Sequence, residues 1–128
     1  MKFRELMKAW IGKTLMGIAV GHSIIGLILF RSALNVIFND GVFNTIALSE
    51  NPNRESAFWF LYSGFLLLLI GSFVDYLERL ALDIPLLFVI ALSILTAIGI
   101  VVMPISGFWL LTLPVLGLII RTLRFKSE

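Results

Sequence analysis

The sequence predicts an all-α polytopic membrane protein, a bundle of four transmembrane helices with an amphipathic helix in its outer loop. Three observations predict it. Hydrophobic residues make up 59% of the chain and charged residues 14%, whereas a soluble domain draws roughly a quarter of its residues from Asp, Glu, Lys and Arg. The apolar residues gather in four nearly uncharged runs, most of them close to the length that a helix needs to cross hydrocarbon. The charges flank those runs and form no solvated face. With a mean hydropathy of +1.03, such a chain is solvated mostly by lipid.

The length of 128 residues fits one domain. The absence of cysteine excludes disulfides, thiolate metal sites and a cysteine nucleophile, and no metal site is read. A formal charge of +2 would suit a nucleic-acid binder, but the basic residues sit at the ends of apolar runs and nucleic acid is not an expected partner.

The first span is Gly12–Phe30, uncharged after Lys13, with His22 its strongly polar member. Its N-terminal flank of Lys2, Arg4 and Lys8 imitates a signal peptide. The run exceeds the usual apolar length, however, and Arg31 follows it without a small-residue cleavage site. It is read as a retained helix. Ala57–Val74 is the second span and Ile84–Met103 the third. Ser106–Ile120 is shorter, roughly 22 Å of helix, and spans if Pro104, Ser106 and Arg121 lie at the interfaces.

Of the ten basic residues, all but Arg31 and Arg54 fall on the side that holds the N-terminus, the Asp75–Asp83 loop and the C-terminal tail. The positive-inside rule makes that side cytoplasmic, with both termini inside. Trp10 and Tyr76 fall at the cytoplasmic ends of their spans, and Trp59 and Trp109 at the outer ends, at the level that amphipathic rings prefer.

The outer loop has two halves. Ala33–Leu48 sets Asn35, Asn39, Asp40 and Asn44 among Leu34, Ile37, Phe38, Val42, Phe43 and Ile46, a pattern that predicts an interfacial helix with Gly41 able to bend or interrupt it. Ser49–Arg54 is a turn cluster that ends it, and Glu55 suits the start of span two. Within the bundle, lipid tails are as apolar as leucine, so small residues must let the backbones approach. Gly17 and Gly21 form a GxxxG pair on span one, and Ser63, Gly64, Gly71 and Ser72 line span two. Ser93, Ala97 and Gly99 serve span three, and Thr112 and Gly117 span four. Pro114 removes a backbone donor inside span four and predicts a packing kink.

His22 is the ionisable group deepest in any span, near the midplane. A polar group at that depth requires a partner and faces the bundle. Matched by depth, Ser93, Thr96 and Thr112 are its candidate neighbours, with Tyr62 and Ser63 slightly nearer the outside and Ser23 beside it. Four roles fit: a neutral ring bonded to a hydroxyl that pins helix register, a ligand-binding group for a quinone, sterol-like molecule or lipid, an axial haem ligand, or a proton relay. Haem and quinone are therefore the cofactors that the sequence allows. The Asp75-Tyr76-Leu77-Glu78-Arg79 cluster reads as a solvated cap on span two with an Asp75–Arg79 i,i+4 pair. No P-loop, HExxH, GxSxG or dinucleotide fingerprint is present. No span holds a central carboxylate for proton-coupled export, and the lining is too apolar for an aqueous channel.

The segment Ser56-Ala57-Phe58-Trp59-Phe60-Leu61-Tyr62-Ser63-Gly64 through Gly71, with Gly21-His22 and Asp40-Gly41-Val42-Phe43-Asn44, resembles a family of small bacterial four-span proteins of unknown function. The layout is also similar to the DoxX-like membrane proteins. The resemblance implies a multi-pass protein of the bacterial inner membrane and brings no activity or catalytic residue with it. The leading expectation is a non-enzymatic membrane protein that binds a hydrophobic small molecule or lipid in a pocket near His22, or serves as a subunit of a larger assembly. The alternatives are a membrane redox enzyme using His22 and Tyr62, and a small transporter dimerised through Gly17 and Gly21. Expected partners are the bilayer, a hydrophobic small molecule, and a second copy or another membrane protein.

Overall fold

The computed structural model describes residues 8–47 and 50–127. Among them are five α-helices and no strand: α1 Ile11–Leu29, α2 Arg31–Asn39, α3 Pro52–Arg79, α4 Leu86–Val102 and α5 Phe108–Lys126. Three of them, α1, α3 and α5, are long and apolar enough to cross a membrane, with mean hydropathies of 1.5, 2.0 and 1.6 over their most apolar windows. The fourth apolar helix, α4, has 17 residues, about 25 Å of rise. Lys2, Arg4, Leu48 and Ser49, which enter the sequence expectations, lie outside the described residues.

Helix ends differ from the hydropathy boundaries for identifiable reasons. Helix α3 starts at Pro52, five residues before the predicted Ala57, because Asn51 caps it by accepting the Asn53 N–H at 3.0 Å. Proline at the first helical position, with its missing donor, suits that start. The predicted turn cluster therefore ends three residues early, and Pro52, Asn53 and Arg54 belong to the helix. At its other end α3 continues past Val74 through the charged residues to Arg79. It stops where the Leu82 N–H reaches back to Leu77 O (3.0 Å) and the Ala81 N–H to Glu78 O (3.1 Å), with Ala81 at φ 52°. That is a Schellman motif with alanine where glycine is usual. Likewise α5 runs six residues beyond the predicted Ile120, since Arg121, Arg124 and Lys126 suit a helix C-terminus.

The predicted loop helix Ala33–Leu48 is corrected to Arg31–Asn39. Gly41, at φ 91°, ends it through a second Schellman pairing, Val42 N–H to Ile37 O (3.0 Å) and Gly41 N–H to Phe38 O (3.2 Å). Glycine has no Cβ to oppose that conformation. Residues 41–47 are turn, pinned by Arg54, which bonds Asp40 at 2.7 Å and donates to Thr45 O at 3.0 Å.

The long helices order as a row, α3–α1–α5–α4, with α2 against α1 and α3. Among the described residues the backbones of α3 and α4 do not approach each other. The α1–α3 seam is antiparallel and built on glycines from both sides. Gly12 meets the Asp75 backbone, Gly71 meets Leu15 and Met16, Gly64 meets Ser23 and His22, and Gly26 meets Phe60 and Leu61. A Cβ at any of these would collide with its neighbour. At Gly17 and Gly21, by contrast, a Cβ would meet nothing within 4 Å, so this GxxxG pair takes no part in packing within the chain. Gly99 receives the Phe108 ring across the α4–α5 turn, and the Trp109 Nε1–H closes that turn on Pro104 O at 2.8 Å.

The apolar core is made by Ile11, Leu15, Val74, Ile84, Val89, Leu92, Val115 and Leu118. These come from the start of α1, the end of α3, the approach to α4 and its first half, and the middle of α5, so the core lies toward one end of the molecule.

Candidate functional site

His22 lies on α1 seven residues from its end at Leu29, roughly 10 Å along the axis. Its Nε2 is 2.8 Å from Phe60 O and 3.2 Å from Ser63 Oγ. A carbonyl oxygen can only accept, so Nε2 carries the proton and donates it to Phe60 O; in the neutral ring Nδ1 is then an acceptor. The imidazole also stacks on the Phe60 ring, centroids 3.9 Å apart and planes inclined by 10°. Gly64 makes room for this, since a Cβ there would press on His22 and Ser23. The histidine is half-buried and Ser63 is exposed, so this polar pair reaches the outer surface of the α1–α3 seam.

The other candidate residues lie elsewhere. Tyr62 is two residues from Phe60, about 200° round the helix, and its ring stacks on Phe58 at 5.2 Å and meets the edge of Trp59 at 6.0 Å. Ser93 and Thr112 donate to carbonyls of their own helices, Val89 O at 2.7 Å and Trp109 O at 2.6 Å. Thr96 is buried on α4, with no partner for its hydroxyl among the described residues. The structure thus brings Ser63 to His22, while Ser23 donates to Ala19 O in its own helix at 2.9 Å. Because α5 stands between α1 and α4, Ser93 and Thr96 do not join the histidine.

On α1, His22 shares a flank with a residue at the core end. It follows Ile11 by eleven residues, about three turns, and so shares its flank of α1. Ile11 packs against Gly117 of α5. Leu110, two turns before Gly117 on the same flank of α5, is 61% exposed. Packing of α1 on α5 is thus close at the core end around Gly117, whereas the His22 ring is held against α3 by Phe60 and Ser63.

A second polar group lies at the core end. The Glu78 carboxylate accepts the backbone N–H groups of Gly12 at 2.8 Å and Ile11 at 3.3 Å, and its Oε1 is 3.6 Å from Arg121 Nη1. Both side chains are almost fully buried. Trp10 supplies no side-chain cap to α1, so a carboxylate from α3 satisfies its free donors and complements the positive end of its dipole. Asp75 pairs with Arg79 at 2.7 Å as the i,i+4 spacing predicts, but Asp75 is buried. The expected solvated cap is therefore corrected to a largely buried cluster, because α1 crosses close over Asp75 at Gly12.

A family model of unknown function matches residues 6–125. The chain belongs to DUF6463. No curated protein and no solved structure matches it. Membership of DUF6463 accounts for nearly the whole chain and is consistent with the unknown-function part of the resemblance read from sequence. It carries nothing on a DoxX-like layout or a bacterial source. In this DUF6463 chain, hydropathy reading missed Glu78 and Arg121 as a pair. Glu78 was assigned to a loop and Arg121 to an interface, and nothing in their separation along the chain links them. The available signal was helical: Glu78 lies one turn beyond Val74 and shares its face.

Proposed function

We propose that this protein is a multi-pass inner-membrane protein with four spans and both termini in the cytoplasm, and that it binds a hydrophobic molecule bearing a hydroxyl group beside His22. The four-span reading is supported by chain direction. The ends of α3 and α5 both lie beside the start of α1, through Asp75 and Gly12 on one side and Gly117 and Trp10 on the other. Only a crossing by α4 returns the chain between them. Its 17 residues fall somewhat short of a bilayer core of about 30 Å, a mismatch that local thinning accommodates. The concentration of Lys and Arg at this end favours placing it in the cytoplasm.

The observation that carries the binding role is the half-buried His22 and exposed Ser63 at hydrocarbon depth, where polar groups need partners. With the Nε2 proton held by Phe60 O, the ring offers Nδ1 as an acceptor. This favours a ligand that donates a hydrogen bond, such as a sterol-like alcohol, a quinol or a lipid hydroxyl, over a carbonyl. A haem-based redox role gains no support, since Nε2 is already engaged and the chain has a single histidine.

Native mass spectrometry of gently solubilised protein, with lipid extraction, compares wild type with His22→Ala and Ser63→Ala. A small molecule retained by wild type and lost from His22→Ala is the expected result. Identical spectra from stable, folded proteins would leave His22 as a pin between α1 and α3 and remove the binding role.

A further inference from the structure

Between the start of α1 and the last turns of α5 lies a cleft of about 330 Å³, lined by Lys8, Trp10, Ile11, Ile120, Arg121 and Arg124 among others. The Trp10 ring lies over Gly117, where a side chain would displace it, and with Ile11 and Ile120 it gives the cleft an apolar wall. Arg121 sits at its buried base and is tied to Glu78 and stacked on Phe125. Lys8 and Arg124 are exposed, and neither is paired with a carboxylate among the described residues. Glu78 lies behind Arg121 and is engaged by two N–H donors and by Arg121 itself. The cleft therefore combines an apolar wall with two uncompensated cations at the ends of membrane-length helices. Two such cations favour an anion, and the wall favours an anion attached to a hydrocarbon chain.

We propose that this cleft holds an anionic phospholipid, its phosphate between Lys8 and Arg124 and an acyl chain along Ile11 and Ile120. The assignment rests on the reading of the protein as membrane-embedded and is independent of which end faces the cytoplasm. Basic pockets at the ends of membrane helices take anionic headgroups, and each cation near the bilayer surface contributes about fivefold in affinity, hence roughly twenty-five-fold for the pair.

The test is native mass spectrometry of full-length protein in detergent with phosphatidylglycerol or phosphatidylcholine added, and with inorganic phosphate as competitor. Wild type is expected to retain phosphatidylglycerol preferentially. The double variant Lys8→Ala/Arg124→Ala should lose that preference by roughly twenty-five-fold, while Lys13→Ala/Lys126→Ala, which removes equal charge outside the cleft, should keep it. Three results would overturn the assignment: equal retention of both lipids by wild type, equal loss from both double variants, or displacement of the lipid by inorganic phosphate. Wild-type selectivity alone tests the idea if a variant fails to fold. The His22 reading stands or falls on His22→Ala, so the two failures are distinguishable.

Discussion

Glu78 on α3 engages two other helices through one carboxylate: the two leading N–H groups of α1 and the guanidinium of Arg121 on α5. Each of these would be costly to bury alone. Removing one member of a buried ion pair leaves an uncompensated charge, which costs about 3–5 kcal/mol. Glu78→Ala is therefore expected to destabilise the protein by that amount in thermal or denaturant unfolding in detergent. Replacing both partners, as in Glu78→Leu/Arg121→Met, should recover most of the loss, because an apolar pair of similar volume needs no compensation. A Glu78→Ala protein within about 1 kcal/mol of wild type would mean that water reaches the pair and screens it. His22 has the opposite character. Its Nε2 is satisfied within the α1–α3 seam, yet the residue stays half-exposed, which is why a binding role can be argued for it and a structural one for Glu78.

At the scale of elements, the α1–α3 seam depends on glycine placement. Gly71 lets Leu15 and Met16 approach the α3 backbone, with the Met16 N only 2.8 Å from where a Cβ would stand. Backbone cannot yield as a flexible side chain does, and overpacking of this kind costs about 1–3 kcal/mol. Gly71→Ala should lower thermal stability by an amount in that range, whereas Gly17→Ala, pointing into open space, should leave it unchanged or slightly raise it through helix propensity. Equal losses from both would show that Gly17 packs against something outside this chain. The contrast corrects a natural reading of the sequence. GxxxG is the recognisable motif, but the seam within the chain is made by Gly12, Gly26, Gly64 and Gly71, whose partners are fixed by antiparallel register and not by spacing along one helix.

For the whole molecule the decisive quantity is the number of crossings. The chain has no cysteine, so single cysteines introduced at exposed positions report topology without background. Asn53→Cys at the start of α3 should react with a membrane-impermeant maleimide in intact cells. Lys126→Cys, at the end of α5, should react only after lysis. Labelling of both from outside would place the chain termini on opposite faces and reduce the spans to three, with α4 lying in the interface. The row order α3–α1–α5–α4 also makes the two ends of the molecule different. The core binds all four long helices at one end, while at the other α1 pairs with α3 and α4 with α5.

Much of this architecture follows from residue order alone. Apolar run length determines which segments can be helices in lipid, since backbone groups there must be satisfied within the segment. Basic residues and aromatic rings mark the run ends, and Gly41 and Asn51 determine where α2 stops and α3 starts, because left-handed backbone and capping are local matters. The depth of His22 is equally local, being a count along one helix. What tertiary structure decided is everything that depends on which helices are neighbours. It set Ser63 beside His22 and left Tyr62, Ser93, Thr96 and Thr112 apart from it. It buried Glu78 against Arg121, and it formed the cleft between Trp10 and Arg124. Depth along a helix is one coordinate and can be read from sequence. The order of helices around one another is another, and it emerges only when backbones find the partners they can approach.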